Sequence, residues 1–192
     1  MAARGAIVLG GGRSSRMGTD KLALLLDGRP LLARAVDAAL TWAGTVVVAG
    51  DRPDGWPEDD RVVFRREDPP FGGPVAGIAA AFAELRAVDE VLILAGDLAD
   101  PGAAVALLAA AETGPDGVVL EDDDGWPQYL AGRYRAAALT ALVDGLAADP
   151  VGAVHRFLRP LDVARLRAPE AVTRDVDTPE AARAAGAEHP PS

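Results

Sequence analysis

The chain has 192 residues, 49% of them apolar, with a formal net charge of −10 and no cysteine. That length suits one domain able to bury about 70% of the surface its unfolded chain exposes, and the lack of cysteine excludes disulfides and thiolate metal sites. The acidic balance excludes a face built to wrap a nucleic-acid backbone, and no apolar run approaches the roughly 18 residues of a membrane span.

The N-terminus runs directly into an apolar stretch with no charged-then-apolar leader, so a cytoplasmic protein is expected. That stretch, Ala6-Ile7-Val8-Leu9, predicts a buried first strand. It leads into GGGRSSRMGTDK, from Gly10 to Lys21. Successive glycines at Gly10, Gly11 and Gly12 let backbone amides approach a ligand that side chains would fend off. Arg13, Arg16 and Lys21 place three cations beside those amides in an otherwise acidic chain. Amides next to local positive charge suit a polyphosphate, which accepts charge-assisted hydrogen bonds. The spelling is neither a P-loop, since no Gly-Lys-Ser/Thr follows, nor the dinucleotide fingerprint, whose last glycine is replaced by Ser15.

Asp27-Gly28 marks a turn, and Pro30 opens an amphipathic helix carrying Leu31, Leu32, Ala35, Val36, Ala39 and Leu40 on its apolar face. A strand is predicted over 45–49, ending in Gly50-Asp51-Arg52. This alternation of strand, helix and strand points to a mostly parallel sheet with ligands at the carboxyl ends of its strands. After a polar connection, 61–64 reads as a third strand, and Glu67 to Pro74 forms a second glycine-rich loop containing Asp68 and Gly73. From Val75 the pattern turns helical, with Ile78, Phe82 and Leu85 on one side.

The run Val91-Leu92-Ile93-Leu94-Ala95 is continuously apolar, as expected of a central parallel strand, and ends in Gly96-Asp97. A carboxylate at such a tip can hold Mg²⁺ against triphosphate oxygens. Asp100-Pro101 has the spelling of a helix cap and first turn, which leaves Asp97 available for a ligand. A strand over 117–120, a solvated turn of acids at 121–125 and a returning strand over 126–134 follow, Pro127 marking that strand as an edge. Helices at 136–147 and 152–158 and a strand at 161–166 complete the main body. His155 and Arg156 on the second of those helices and Arg159 just past it are cations that could face a phosphate of a second substrate. Asp175-Val176-Asp177-Thr178-Pro179-Glu180 precedes a last helix, and residues 186–192 read as a disordered tail beyond a domain spanning 1–185.

Four pieces in this order, the opening loop with Arg16-Met17-Gly18 and Asp20-Lys21, Gly73-Pro74-Val75-Ala76-Gly77, Gly96-Asp97 and the closing Asp-Val-Asp-Thr-Pro, resemble the motifs of nucleotidyltransferases that make molybdenum dinucleotide cofactors, above all the molybdenum cofactor guanylyltransferases. The resemblance implies a single-domain, Rossmann-like α/β/α sandwich of the nucleotide-diphospho-sugar transferase type. It implies transfer of GMP from GTP to the phosphate of molybdopterin, with molybdoenzymes or cofactor-delivery proteins as further partners. Carried onto this sequence, Arg16, Lys21 and Asp97 are catalytic, and Mg²⁺ is held by Asp97 and Asp177. Leu9, Gly10, Gly11, Gly12, Lys21, Asp51, Asp68, Gly73, Pro74, Gly77 and Asp97 bind the nucleotide. Trp126-Pro127-Gln128 departs from the family's His-Pro spelling, on the side where those enzymes take the pterin.

Other readings stay open. The aspartates at Asp175 and Asp177 are common in cytidylyl relatives, so a cytidylyltransferase or another nucleotidyltransferase acting on a phosphorylated small molecule is the alternative. A non-catalytic nucleotide-binding protein is the second. A Rossmann oxidoreductase is disfavoured because no acidic residue follows a proper fingerprint.

Overall fold

A computed structural model describes residues 2–10, 24–70, 72–146 and 153–176. Its centre is a seven-stranded sheet in the order β5-β4-β1-β6-β8-β7-β9. These are β1 (Arg4–Leu9), β4 (Thr45–Ala49), β5 (Val62–Arg65), β6 (Glu90–Ala95), β7 (Gly117–Glu121), β8 (Pro127–Arg135) and β9 (Val163–Arg167). Two-residue strands β2 (Leu25–Leu26) and β3 (Arg29–Pro30) make a small hairpin outside it. β1 pairs in parallel with both β4 and β6, and β4 with β5. β8 alone runs against its neighbours, antiparallel to β6 and to β7, while β7 and β9 are parallel.

Strict alternation explains why the strands are continuously apolar. Ala6 and Val8 of β1, Val46 and Val48 of β4, and Leu92 and Leu94 of β6 point to one face, joined there by Leu32, Ala35 and Val36 of α1 (Leu31–Leu40), Ala104, Val105 and Leu108 of α3 (Pro101–Ala110) and Val172 of α6 (Glu170–Thr173). Ile7, Val47 and Ile93 point to the other, where Ile78 and Phe82 of α2 (Pro74–Phe82), Leu139 of α4 (Ala136–Asp144) and Leu158 of α5 (Val154–Leu158) cover them. Both faces are therefore dry, and the three-layer α/β/α sandwich expected from the sequence is present.

Two expectations change. Pro127 does not mark an edge: β8 lies inside the sheet, and Pro127 is its first residue, opposite Glu121, where a missing N–H costs no interior rung of the ladder. The helix expected to run on from Val75 tightens into a 3-10 turn at Ala83–Leu85, which tucks Leu85 under β1. The segment 177–180 with its Pro179 helix and the 186–192 tail lie outside the described residues.

Candidate active site

The order of the sheet reverses at β1, between β4 and β6, and there the crevice at the carboxyl ends of the strands opens. Hydrogen bonds lock these ends side by side. Gly10 N donates to Ala49 O at 3.1 Å, Gly96 N to Leu9 O at 3.2 Å and Gly50 N to Arg65 O at 2.8 Å. Leu9, Gly10, Gly50, Asp51 and Gly96-Asp97 thus form one contiguous rim. Gly10 is required by space, since a Cβ built there would lie 2.5 Å from Val48 Cγ1.

Asp97 is 8% exposed, a rare burial for a carboxylate. Its loop is held by a short antiparallel pairing with a segment far along the chain: Val176 N donates to Asp97 O at 2.8 Å, Ala99 N to Arg174 O at 3.0 Å, and Leu98 sits opposite Asp175. The next acid, Asp100, caps α3 by accepting from Ala103 N at 2.9 Å. The cap expected of Asp100 is the one observed, and Asp97, three residues earlier, takes no part in it.

On the β5 side, Asp51 is exposed and ion-paired with Arg66, the residue just past β5. Asp68 is exposed in the following loop. Gly73 caps α2 with φ 91°, a left-handed conformation that favours glycine, and Pro74 is the first helical residue. Gly77 allows α2 to close on β4, a Cβ there falling 3.4 Å from Ala49 Cβ. Asp51, Asp68, Gly73, Pro74 and Gly77 accordingly flank the rim formed by Leu9, Gly10 and Asp97. Gly11, Gly12, Arg16, Lys21 and Asp177 lie outside the described residues, as does Arg13.

Three features went unnoticed in the sequence. Arg66 adds a cation at the end of β5, and the pairing of β5 with β4 brings it to its partner Asp51. Asp122, one of four consecutive acids, organises the β7–β8 turn: its carboxylate accepts from Asp124 N at 3.1 Å, Trp126 N at 2.8 Å and Gln128 Nε2 at 2.7 Å. Finally, two cavities run outward from the crevice. An inner one of about 160 Å³ is lined by Ala95, Leu98, Gln128, His155 and Asp175, and an outer one of about 350 Å³ by Trp126, His155, Arg159 and Arg165. They share Pro127, Tyr129 and His155, whose ring meets that of Tyr129 edge to face at 5.5 Å. Trp126 is 65% exposed, which no periodicity foretells.

Comparisons with known proteins bear on the family and the fold. The MobA-like NTP transferase domain matches residues 6–166. A molybdenum cofactor guanylyltransferase of Rhizobium johnstonii is 33% identical over 172 residues, covering 88% of this chain and 80% of that protein. A probable molybdenum cofactor guanylyltransferase of Synechococcus elongatus is 35% identical over 143 residues, covering 69% and 72%. Among solved structures, a protein of Mycobacterium tuberculosis superposes with a TM-score of 0.68 at 19% identity, covering 95% of this chain and 97% of that one. Molybdopterin-guanine dinucleotide biosynthesis protein A of Archaeoglobus fulgidus gives 0.62 at 18%, covering 95% and 96%. At those identities the structures attest the fold, and the sequence matches attest the kinship: this chain belongs to the MobA-like NTP transferase family.

Proposed function

We propose that this protein transfers GMP from GTP to the phosphate of molybdopterin, releasing pyrophosphate and forming the guanine dinucleotide cofactor. The names of its relatives support the substrates. The observation that carries the chemistry is a buried carboxylate, Asp97, just past β6, next to Gly96, which bonds the last residue of β1.

In the proposed step an oxygen of the acceptor phosphate attacks the α-phosphorus. The bond to the bridging oxygen breaks, and the electron pair departs with pyrophosphate. A phosphate monoester, with a second pKa of about 6, is already an anion near neutrality, so no side chain has to remove a proton. Catalysis rests on alignment and on neutralising charge. The glycines at Gly10, Gly11 and Gly12 would present amides to the triphosphate, with Arg16 and Lys21 balancing the leaving group. Asp51, Asp68, Gly73, Pro74 and Gly77 would hold the guanosine. Asp97 and Asp177 suit Mg²⁺, a hard cation that takes one or two carboxylates and completes its shell with water and phosphate oxygens. When bound, Mg²⁺ supplies Lewis-acid charge at the α- and β-phosphates. Asp97 would hold its ligand position because the pairing with 174–176 fixes its loop. For the acceptor, the inner cavity reaches from Ala95 toward Gln128 and His155, and the outer one offers the exposed indole of Trp126 to a flat ring.

The test is pyrophosphate release from GTP or CTP in the presence of Mg²⁺ and molybdopterin. Release with GTP and not CTP is expected. Release with CTP alone would reassign the base, and release with neither would overturn the reading.

A further inference from the structure

Helix α1 begins in an unusual way. Its first turn contains no acid, its N-terminus receives no side-chain cap, and its fourth residue is Arg34. A cation near the positive end of a helix is electrostatically disfavoured. Its contacts show what holds it there. Arg34 Nη1 donates to Asp27 Oδ2 at 3.1 Å and lies 3.5 Å from Leu26 O, while Nη2 donates to Ala99 O at 3.3 Å, across 65 residues of sequence. The guanidinium therefore joins the β2–β3 hairpin, which follows the glycine-rich segment, to the loop that carries Asp97. Its side chain is only 23% exposed, and its Nε is buried with no partner among the described residues.

The surroundings agree. Leu24, Leu26 and Leu31 pack with Val176 and Ala99 in a small apolar cluster separate from the two main cores. The same Ala99 donates its N–H to Arg174 O, and Val176 donates to Asp97 O. Three described segments thus meet: the β2–β3 hairpin, the Asp97 loop and residues 174–176, with Arg34 bonding the first to the second.

We propose that Arg34 is a positioning residue that ties the β2–β3 hairpin to the loop carrying Asp97 and so fixes the place of that carboxylate. The proposal rests on the nucleotidyl-transfer reading given above. Arg34 touches no substrate; it acts through Ala99 and the hairpin. Lysine, with one ammonium in place of a planar fork, can reach one of these acceptors and not both together.

The experiment compares Arg34→Ala, Arg34→Lys and Asp27→Asn with the native protein in kcat, KM for GTP, the Mg²⁺ concentration giving half-maximal rate, and amide hydrogen exchange. Arg34→Ala should lower kcat at least tenfold with KM for GTP within threefold, raise the half-maximal Mg²⁺ concentration, and speed exchange at Ala99 and Val176. Arg34→Lys should recover part of the rate. Asp27→Asn, which loosens only the exposed end of the tie, should stay within twofold of native. Native-like kcat and native exchange at Ala99 and Val176 in Arg34→Ala would overturn the proposal. So would a rate loss matched by an equal loss of folded protein with the Mg²⁺ profile unchanged. If Arg34→Ala does not fold, Arg34→Lys decides by the same exchange and Mg²⁺ readouts. A native protein that releases no pyrophosphate overturns the proposed function instead, whereas the exchange measurement still reports on the tie.

Discussion

Asp97 and Gly10 show how differently two residues of one rim are constrained. Asp97 is 8% exposed, a costly burial for an anion, and the proposed function gives it a ligand to hold. Asp97→Asn keeps the shape and removes the charge. We expect kcat to fall at least a hundredfold, about 2.7 kcal/mol of transition-state stabilisation, with the thermal midpoint within about 2 °C of native; steady-state rates and a melting curve check both. Gly10 is constrained sterically, because a methyl group would press on Val48 Cγ1 and come within 3.3 Å of Leu32 Cδ1. Gly10→Ala should therefore destabilise by about 1–3 kcal/mol, as overpacking does, measurable by urea titration in the absence of any nucleotide. The glycines were visible as a motif in the sequence. That Gly10 abuts Val48 was not, because β4 arrives there only through its parallel pairing with β1.

At the scale of elements, the segment from β6 to α3 carries two acids within four residues, Asp97, proposed for the reaction, and Asp100, which caps the helix. Asp100 accepts from Ala103 N, and Pro101 follows it as the first residue of the helix. Replacing Asp100 with Ala should cost roughly 1 kcal/mol of stability and leave kcat within twofold, since the carboxylate points into its own helix. A melting curve together with pyrophosphate release distinguishes this from an Asp97 defect. Cap and strand tip were both legible locally, since each is set by residues no more than three apart. The turn of acids between β7 and β8 was legible only as a turn. Asp122 draws in Trp126 and Gln128 through their polar groups, and the exposure of the Trp126 indole follows from that geometry and not from any pattern of hydrophobicity.

Taken whole, the molecule is a sheet shielded on both faces, and β8 ties its two halves together. Tyr134 on β8 is fully buried and donates its hydroxyl to Tyr129 O at 2.7 Å. Burial first, and the proximity of Tyr129 second, push its phenol well above the ordinary value near 10. The unfolded chain would ionise this group from about pH 10 while the native state keeps it neutral, so the unfolded state binds fewer protons. The contribution of Tyr134 to stability is then complete below pH 10 and is lost as pH rises further. Denaturant unfolding followed from pH 8 to 11 should show a decline on the alkaline side, shallower in Tyr134→Phe.

Local spelling by itself determined the succession of the seven sheet strands and of helices α1 to α5, though not the β2–β3 hairpin or α6, and also the cap at Asp100, the glycine turn at Gly73 and the motif order that betrays the family, since each depends on neighbours along the chain. Only the tertiary structure decided that β8 is interior, that Asp51 faces Arg66, that Asp97 is clasped by 174–176, and that Arg34 reaches Ala99. Those relations join residues between 15 and 79 positions apart, and contacts at such separations are set by how sheet and helices pack, which no short window of sequence contains.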